Sequence, residues 1–204
     1  MTDSPVAAAY GAIAARYIDL FPDADAAHED DRSLIARWAS TIDGPILDAG
    51  SGPGLWTVFL HGLGHDVSGI DMTPEFVAHA RAIRPDLSWT LGDLRHPGIT
   101  ESTLGGVLAW FSLIHLPPEE VPAVLGGLVR LLKPGGRLLL GFFTQPRLQA
   151  FDHSVTTAWA WPMATIVSTL QDAGLTVEEH HERPAPRGRI NAAIIARRPP
   201  SGPA

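Results

Sequence analysis

The stretch Pro45-Ile46-Leu47-Asp48-Ala49-Gly50-Ser51-Gly52-Pro53-Gly54 decides the fold of this 204-residue chain. Its first half is a short apolar run, the pattern of a buried strand. Its second half places glycines at alternate positions, and the apolar run from Leu55 predicts a helix directly after them. A strand that turns through glycines into a helix makes a ligand site. Backbone N–H groups converge there, and the missing Cβ atoms let a ligand approach closely.

The glycine spacing and one carboxylate narrow the class of ligand. A dinucleotide-binding turn reads G-x-G-x-x-G, and its helix N-terminus meets a pyrophosphate. Here the spacing is Gly50-x-Gly52-x-Gly54, and Asp48 stands two residues before the first glycine. A carboxylate there would repel a pyrophosphate but suits an ammonium or sulfonium group. The stretch from Asp48 to Gly54 resembles motif I of the class I S-adenosylmethionine-dependent methyltransferases. The alternative is an ordinary strand-turn-helix with helix-breaking glycines.

Composition indicates one globular domain and excludes several function classes. The hydrophobic content of 45% is ordinary, while the net charge of −7 and pI near 5.6 argue against a nucleic-acid-binding face. The chain has no cysteine, which excludes thiol catalysis and cysteine-ligated metals. The N-terminus lacks the basic region of a signal peptide, and no apolar run reaches membrane-spanning length. A cytoplasmic protein without a membrane or metal partner is therefore expected.

The segment before the glycine turn is predicted to be helical. Residues 5–20 form an apolar stripe of helical spacing, which includes Tyr10, Tyr17 and Leu20, and Arg32 to Thr41 reads as a second helix. The simple interpretation is packing on the body of the fold. In methyltransferases of the resembled type, however, a helix before motif I often covers the cofactor. The resemblance therefore implies an N-terminal lid over about residues 1–41, with Tyr17 as a contact of cofactor or substrate.

Two further acidic residues follow predicted strands. Asp71 comes after the strand Asp66–Ile70, 17 residues beyond Gly54, where a carboxylate can bind both ribose hydroxyls. A capping role before the helix Pro74–Ile83 is the alternative. The strand Leu87–Leu91 ends at Gly92-Asp93-Leu94, which resembles the adenine-binding segment of the same methyltransferases. An Asx-turn at Asp93 is the alternative there.

The second half of the chain continues the alternation of strands and helices. Strand Gly105–Phe111, helix Glu119–Leu132 and strand Arg137–Phe142 are joined through Lys133-Pro134-Gly135-Gly136, a second passage that resembles these methyltransferases. Residues 144–161 form a long connection, which predicts a substrate lid or a partly helical segment. The final elements are a helix at Pro162–Ala173, strands at Thr176–His181 and Ile190–Arg197, and a disordered tail at 198–204.

This order predicts an α/β fold: a Rossmann-like, mostly parallel seven-stranded sheet with helices on both faces and an antiparallel last strand. The three acidic segments then meet at the carboxyl ends of neighbouring strands, where open α/β sheets bind ligands. The resemblance implies S-adenosyl-L-methionine as cofactor and S-adenosyl-L-homocysteine as product. It assigns Asp48, Asp71 and Asp93 to the methionine amine, ribose and adenine. The other cofactor-binding positions that it implies are Tyr17, Gly50, Ser51, Gly52, Gly54, Trp56, Met72, Gly92, Leu94, Phe111 and Ser112.

Methyl transfer to an oxygen, nitrogen or carbon nucleophile mainly requires alignment of the acceptor with the sulfonium methyl. A hydroxyl acceptor also needs a base, and histidine is the usual one near neutral pH. His115, after the fourth strand, is the first candidate and His153 in the long connection is the second; either could instead be structural. Aromatic residues at Trp110, Phe111, Trp159 and Trp161 indicate an aromatic acceptor or simply core packing. The fourth strand lacks the acidic residue that many relatives carry.

The resemblance implies a small-molecule acceptor, for which aromatic and quinone-like compounds are precedents. Two other classes stay open. A non-catalytic S-adenosylmethionine-binding sensor would keep the three acids and tolerate loss of His115. A nicotinamide oxidoreductase is disfavoured by Asp48 and the glycine spacing. The sequence does not distinguish a monomer from a homodimer.

Overall fold

The structure, a computed structural model, describes residues 4–200. Its helices are α1 (Pro5–Ala12), α2 (Ala14–Leu20), α3 (Glu29–Ala39), α4 (Leu55–Gly62), α5 (Pro74–Ile83), α6 (Val121–Leu131) and α7 (Met163–Asp172). Its strands are β1 (Ile46–Ala49), β2 (Val67–Asp71), β3 (Ser88–Leu91), β4 (Leu104–Trp110), β5 (Leu132–Thr144), β6 (Gln149–Asp152), β7 (Thr157–Trp161), β8 (Thr176–Ala185) and β9 (Arg189–Arg197).

The strands form one sheet whose central part is parallel. The order β3-β2-β1-β4-β5 is parallel throughout, and β9 pairs antiparallel with both β5 and β8. The predicted mostly parallel sheet with an antiparallel last strand is confirmed. Within the described residues the sheet has nine strands rather than the predicted seven. The two additional strands come from the connection that was predicted to be a lid or partly helical.

That connection is a β-hairpin. Strands β6 and β7 pair antiparallel from Gln149 opposite Ala160 to Asp152 opposite Thr157. The end of β7 also pairs in parallel with the last two residues of β5. Threonine, valine and tryptophan predominate in residues 155–161, and these residue types favour strands over helices. The hairpin therefore adds a wall at the carboxyl edge of the sheet.

The alternation of side chains along the strands gives the sheet two buried faces. Leu47, Val107 and Leu138 pack with α6 and α7 in the larger cluster, whereas Ile46 and Leu108 pack with α3 and α4 in the second. Each face is covered by helices, so the loops at the carboxyl edge remain available for a site.

The predicted helix over 5–20 is two helices. Ile13 has non-helical torsions (φ −117°, ψ 10°), and its N–H bonds to Tyr10 O at 3.1 Å, one residue short of the α-helical partner. Gly11, a poor helix former, precedes the break. Leu20, predicted on the buried stripe, is the last residue of α2 and is 57% exposed.

The structure describes three residues of the predicted tail, 198–200, beyond the end of β9. Arg198, which the sequence placed in a disordered tail, donates its side-chain N–H groups to Ser102 Oγ and to the carbonyls of Arg130 and Leu132. Its backbone N–H also bonds to Gly136 O at 2.8 Å. Residues 201–204 of the predicted tail lie outside the described residues. None of the helices in the described part of the chain has the length and hydropathy to cross a membrane.

Candidate functional site

The glycine turn lies between β1 and α4 with all three glycines in left-handed conformations. Gly50, Gly52 and Gly54 have φ of 82°, 54° and 106°. A Cβ at Gly50 would lie 2.2 Å from Ser112 Cβ, and one at Gly54 would lie 2.7 Å from the Trp89 ring. A Cβ at Gly52 would have no neighbour within 4 Å. Packing therefore requires the outer two glycines, whereas Gly52 borders open space that a ligand can approach.

The amides of this turn bond to β2. Gly50 N and Ser51 N donate to Ile70 O at 2.8 and 2.9 Å, and Gly52 N donates to Asp71 Oδ2 at 2.8 Å. Pro53 has no N–H to offer. These groups therefore do not form the nest of free donors that a pyrophosphate needs. The N–H groups of the turn converge as the sequence predicts, but they donate to Ile70 and Asp71 of β2.

Asp71 joins the glycine turn to the start of α5. Its Oδ2 accepts from Gly52 N, and its Oδ1 accepts from Thr73 N at 2.8 Å. Burial raises the pKa of this carboxyl, and the hydrogen bonds oppose that rise. Each carboxylate oxygen has a second lone pair, so Asp71 can also accept from ligand hydroxyls. Met72 follows it, and the Ser4 hydroxyl lies 3.5 Å from the Met72 sulfur.

Asp48 and Trp56, two predicted cofactor contacts, lie inside the protein. Asp48 is 1% exposed, and its Oδ2 accepts from Thr57 Oγ1 at 2.7 Å. Burial raises the pKa of Asp48 to about 7, with a smaller contribution from the charge of Asp71, while the Thr57 bond acts in the opposite direction. Trp56 is also buried and packs on Phe59 and Trp110. In this structure a direct contact of Asp48 with a ligand ammonium is not available.

Asp93 forms the Asx-turn that was the alternative to adenine binding. Its Oδ1 accepts from Arg95 N at 2.9 Å, and its Oδ2 pairs with the Arg95 guanidinium at 3.0 Å. Arg95 also pairs with Glu120. The neighbouring Leu94 packs against the larger core cluster, and Gly92 N bonds to Asp71 O at 2.9 Å. The Asp93 side chain is 39% exposed and its oxygens keep further lone pairs, so its role in adenine binding stays a prediction.

The segment after β4 begins with a residue in a strained conformation. Phe111 has φ of 54°, which costs a residue with a side chain about 1–2 kcal/mol. Its N–H donates to Gly141 O at 3.0 Å, and its ring centroid lies 4.9 Å from that of Phe143. Non-glycine residues in this region persist only where surrounding contacts fix them, and they cluster at functional sites.

Two buried hydroxyl groups lie where the glycine turn contacts the segment after β4. Ser51 Oγ belongs to the glycine turn, and Ser112 Oγ belongs to the residue that packs on Gly50. Neither oxygen has a hydrogen-bond partner among residues 4–200. Buried polar atoms are nearly always bonded to protein, water or a ligand. These two oxygens therefore suit a site that is completed by a bound molecule.

His115 is held by bonds at both ring nitrogens. Nδ1 lies 2.7 Å from Thr157 O, and Nε2 lies 3.1 Å from the Tyr10 hydroxyl. A carbonyl oxygen can only accept, so Nδ1 carries the proton and Nε2 accepts from Tyr10. Burial lowers the pKa of His115, while the Thr157 bond opposes this. The imidazole is therefore neutral with a lone pair at Nε2, the state that a general base requires.

The two N-terminal helices pack over this region through aromatic rings. Tyr10 and Tyr17 are 5.7 Å apart by centroid, and both contact Phe76 of α5, at 5.8 and 5.2 Å. Burial raises the pKa values of both tyrosines, so their hydroxyls remain protonated. The helices thus span from the segment beside Asp71 to His115.

His153, the second predicted base, lies on the hairpin with its ring 5.2 Å from that of His115. Its Nδ1 is buried without a partner among the described residues. Burial lowers the pKa of His153 to about 4, with smaller electrostatic contributions from the neighbouring His115 and from the Arg189 guanidinium. Trp161 belongs to the larger core cluster and Trp159 packs against it. For these two residues the structure shows core packing, the alternative to an acceptor contact.

A cavity of about 390 Å³ lies beside this region, between α3 and the ends of β8 and β9. The sequence did not indicate it. Asp31, in the first turn of α3, lines it and pairs with Arg183 at 2.8 Å. The glycine turn is not part of its lining, which consists of Asp30, Asp31, Ser33, Leu34, Arg37, Trp110, Phe111, His181, Glu182, Arg183, Asn191, Ala192 and Ala193.

Known proteins with a similar sequence or fold are methyltransferases. Residues 46–136 match the family model described as a methyltransferase domain. The chain is 28% identical over 137 residues to the demethylmenaquinone methyltransferase of Beutenbergia cavernae, a match that covers 66% of this chain and 56% of the relative. It is 25% identical over 126 residues to the malonyl-[acyl-carrier protein] O-methyltransferase of Erwinia billingiae, covering 61% and 48%.

Among solved structures, the fold is similar to that of the Burkholderia thailandensis 1,6-didemethyltoxoflavin-N1-methyltransferase, which holds 1,6-didemethyltoxoflavin and S-adenosylhomocysteine. The TM-score is 0.69 at 18% identity, and the match covers 98% of this chain and 92% of that structure. The chain thus spans about half the length of the two curated relatives and nearly the whole of this structural neighbour.

Proposed function

Because the chain belongs to the class I S-adenosylmethionine-dependent methyltransferases, we propose that it methylates a small-molecule acceptor and releases S-adenosylhomocysteine. The family supplies the cofactor, whose sulfonium carries the transferable methyl group. The relatives that act on demethylmenaquinone and on 1,6-didemethyltoxoflavin support a ring compound as acceptor. We extend this to an aromatic or quinone-like acceptor with an oxygen, nitrogen or carbon nucleophile. The cytoplasmic location stays a prediction.

One observation supports the cofactor site most directly: Gly52 borders open space, and its N–H donates to the Asp71 carboxylate beside it. Gly52 would let the cofactor approach the backbone, and Asp71 would accept from its ribose hydroxyls. Ser112 would supply a further hydroxyl from the segment after β4. Asp48 would act indirectly, because its buried carboxyl and Thr57 hold the turn to α4.

His115 is the proposed base for a hydroxyl acceptor. Its bond to Thr157 O fixes the tautomer that leaves Nε2 free of a proton. The acceptor hydroxyl would replace Tyr10 at Nε2 and give its proton to that atom as the oxygen takes the methyl group. This exchange requires α1 to move, so α1 and α2 form the proposed lid, and the β6–β7 hairpin forms the opposite wall.

The cofactor site is tested by thermal unfolding with S-adenosylmethionine, S-adenosylhomocysteine and NAD. Ligand at about 100 times its dissociation constant adds roughly 2.7 kcal/mol, a shift of several degrees. We expect both adenosyl compounds to stabilise the protein and Asp71→Asn to reduce the shift. Asp86→Asn, at an exposed residue paired with Arg84, serves as the control. Stabilisation by NAD alone would overturn the proposal.

The base is tested by release of S-adenosylhomocysteine with quinols, phenols and aromatic amines as acceptors. His115→Gln should lower kcat for hydroxyl acceptors by about 10²–10⁴-fold, the usual contribution of a general base. Binding of S-adenosylhomocysteine should not change. His79→Gln on α5, outside the site, is the matched control. An unchanged kcat in His115→Gln would assign His115 a structural role.

A further inference from the structure

The cavity between α3 and the β8–β9 pair opens beside the proposed methyl-transfer site. Trp110 and Phe111, at the carboxyl end of β4, form one of its walls. The next residue, Ser112, packs against Gly50 of the glycine turn. A molecule in the cavity would therefore be separated from the glycine turn by little more than the Phe111–Ser112 backbone. A volume of about 390 Å³ is within the usual range for small-ligand sites.

The strand register brings the polar residues of the cavity together. Phe143 pairs with Asn191 across β5 and β9, and Asn191 pairs with Arg183 across β9 and β8. Directly opposed residues of neighbouring strands project from the same face of the sheet. This is the face that α3 covers, because Ala193 and Ile195 of β9 belong to the α3-side cluster.

The charges of the cavity wall are largely neutralised in pairs. The Arg183 and Asp31 side chains are 21% and 18% exposed, and one guanidinium nitrogen contacts both carboxylate oxygens at 2.8 and 2.9 Å. Arg37 makes two hydrogen bonds with Glu179, at 3.0 and 2.9 Å. The remaining acids of the wall, Asp30 and Glu182, would repel an anion. An uncharged guest avoids both this repulsion and the desolvation of a net charge.

Two polar atoms of the wall have no partner within residues 4–200. They are Arg183 Nε, a donor, and Asn191 Oδ1, an acceptor, and both are buried. They belong to the directly opposed pair of residues described above. A donor and an acceptor on directly opposed residues complement a group that offers both a carbonyl and an N–H. The indole of Trp110 and the ring of Phe111, at 83° to one another, add aromatic surface for a flat ring.

We propose that this cavity binds the methyl acceptor, and that the acceptor is a flat, uncharged aromatic compound with the adjacent C=O and N–H groups of a cyclic amide. The proposal rests on the proposed function, because it supplies the acceptor for that methyl transfer. Arg183 and Asn191 would determine specificity by bonding to the amide edge. Phe111 borders the cavity and Ser112 packs on Gly50, so the reacting end of the acceptor would extend past Phe111 towards the glycine turn and His115, which lie outside the cavity lining.

The probe is quinolin-2(1H)-one, a flat cyclic amide, compared with 2-methoxyquinoline, which has the same ring system without the N–H and C=O. Both are titrated against the full chain in the presence of S-adenosylhomocysteine and followed by ¹⁵N NMR. We expect the quinolinone to shift the Arg183 Nε–H and Asn191 side-chain resonances. It should bind about 100-fold more tightly than 2-methoxyquinoline, because it makes two additional hydrogen bonds of about tenfold each. 2-Naphthoate and 2-naphthylmethylammonium test the anionic and cationic alternatives.

Variants test the location. Ser33→Trp places a large ring at an exposed position of α3 in the cavity wall, and should abolish quinolinone binding. Ser40→Trp, two helical turns further along and outside the lining, should bind it normally. Arg183→Lys keeps the charge beside Asp31 but removes Nε–H, and Asn191→Leu removes the acceptor. Each should weaken quinolinone about tenfold while binding of 2-methoxyquinoline stays the same.

Equal affinity for the two quinolines, no binding of quinolinone, tighter binding of either charged probe, or undiminished binding in Ser33→Trp would each overturn the proposal. In all variants S-adenosylhomocysteine should bind as in the parent protein. Failure of the parent protein to bind S-adenosylhomocysteine would instead contradict the proposed function. The two proposals can therefore fail separately.

Discussion

The glycine turn and the segment after β4 meet at Gly50 and Ser112, but they are fixed in different ways. The turn is held by Ile70 and Asp71, both at the end of the adjacent strand β2. The segment from Phe111 to His115 is held by Gly141, Phe143, Thr157 and Tyr10, which come from three distant parts of the chain. The proposed cofactor side thus depends on neighbouring strands, and the proposed acceptor side depends on long-range contacts.

Gly50→Ala should have the largest effect because it disturbs both regions at their contact. Its Cβ would lie 2.2 Å from Ser112 Cβ, and its φ of 82° is unfavourable for alanine. We expect a loss of more than about 3 kcal/mol in the free energy of unfolding, measured in urea. Gly52→Ala, with a φ of 54° and no atom within 4 Å, should lose only about 1–2 kcal/mol. Similar losses in the two variants would show that the Gly50–Ser112 contact is not a constraint.

Asp48→Asn tests the interior of the turn through the pH dependence of stability. In the unfolded chain Asp48 ionises near pH 4, whereas in the folded protein it keeps its proton up to about pH 7. Between these values the folded state binds more protons, so the contribution of Asp48 to stability is fully present below about pH 4 and declines as pH rises towards 7. The pH-dependent difference between parent and variant should reach roughly 4 kcal/mol.

The measurement is urea unfolding at a series of pH values from 3 to 8. The amide introduced by Asp48→Asn does not titrate. The free energy of unfolding of the variant should therefore lack the decrease between about pH 4 and pH 7 that Asp48 causes in the parent protein. Thr57→Val removes the bond that favours the ionised carboxylate and should extend the decline to higher pH. Parallel curves for parent protein and Asp48→Asn would show that the carboxyl ionises normally in the fold.

Tyr10→Phe should have the smallest effect and should be confined to the acceptor side. It keeps the ring contacts with Tyr17 and Phe76 but removes the bond to His115 Nε2. The loss of about 1 kcal/mol should speed amide exchange across residues 5–20 about fivefold, measured by hydrogen–deuterium exchange. Tyr17→Phe is the control, and the glycine turn should exchange at its original rate in both. Unchanged exchange in Tyr10→Phe would show that this bond does not hold the helices in place.

The sequence predicted best where local pattern determines structure. Strand β1, the glycine turn and Asp71 lie at the predicted positions in the fold. The hydrogen bonds that hold them join β1 and β2, which are consecutive strands in the sequence. The pattern around Asp93 suits either adenine binding or an Asx-turn, and the structure shows the Asx-turn together with an ion pair between Asp93 and Arg95. The burial of Asp48 follows from a β1 strand covered on both faces.

The cavity had no sequence signal. Asp31 and Arg183 are 152 positions apart, and only the β8–β9 pairing and the position of α3 bring them together. The hairpin was missed because the long connection was expected to be a lid or partly helical. Its strand-forming residues gain their partners from β5 and from the segment after β4. Contacts of this kind depend on the whole fold and leave no periodic pattern along the chain.

The attachment of the β6–β7 hairpin has a consequence for engineering. Its ends are joined by the bond from Gln145 N to Trp161 O at 3.1 Å. Within the described residues it pairs with β5 at two positions and bonds to the segment after β4 through Trp159 N to Ile114 O and Thr157 O to His115. An insert that leaves and re-enters the body of a protein at one point can be exchanged for another of different length. Chimeras that replace residues 146–160 with the corresponding loops of other family members should therefore change the acceptor preference without changing cofactor binding.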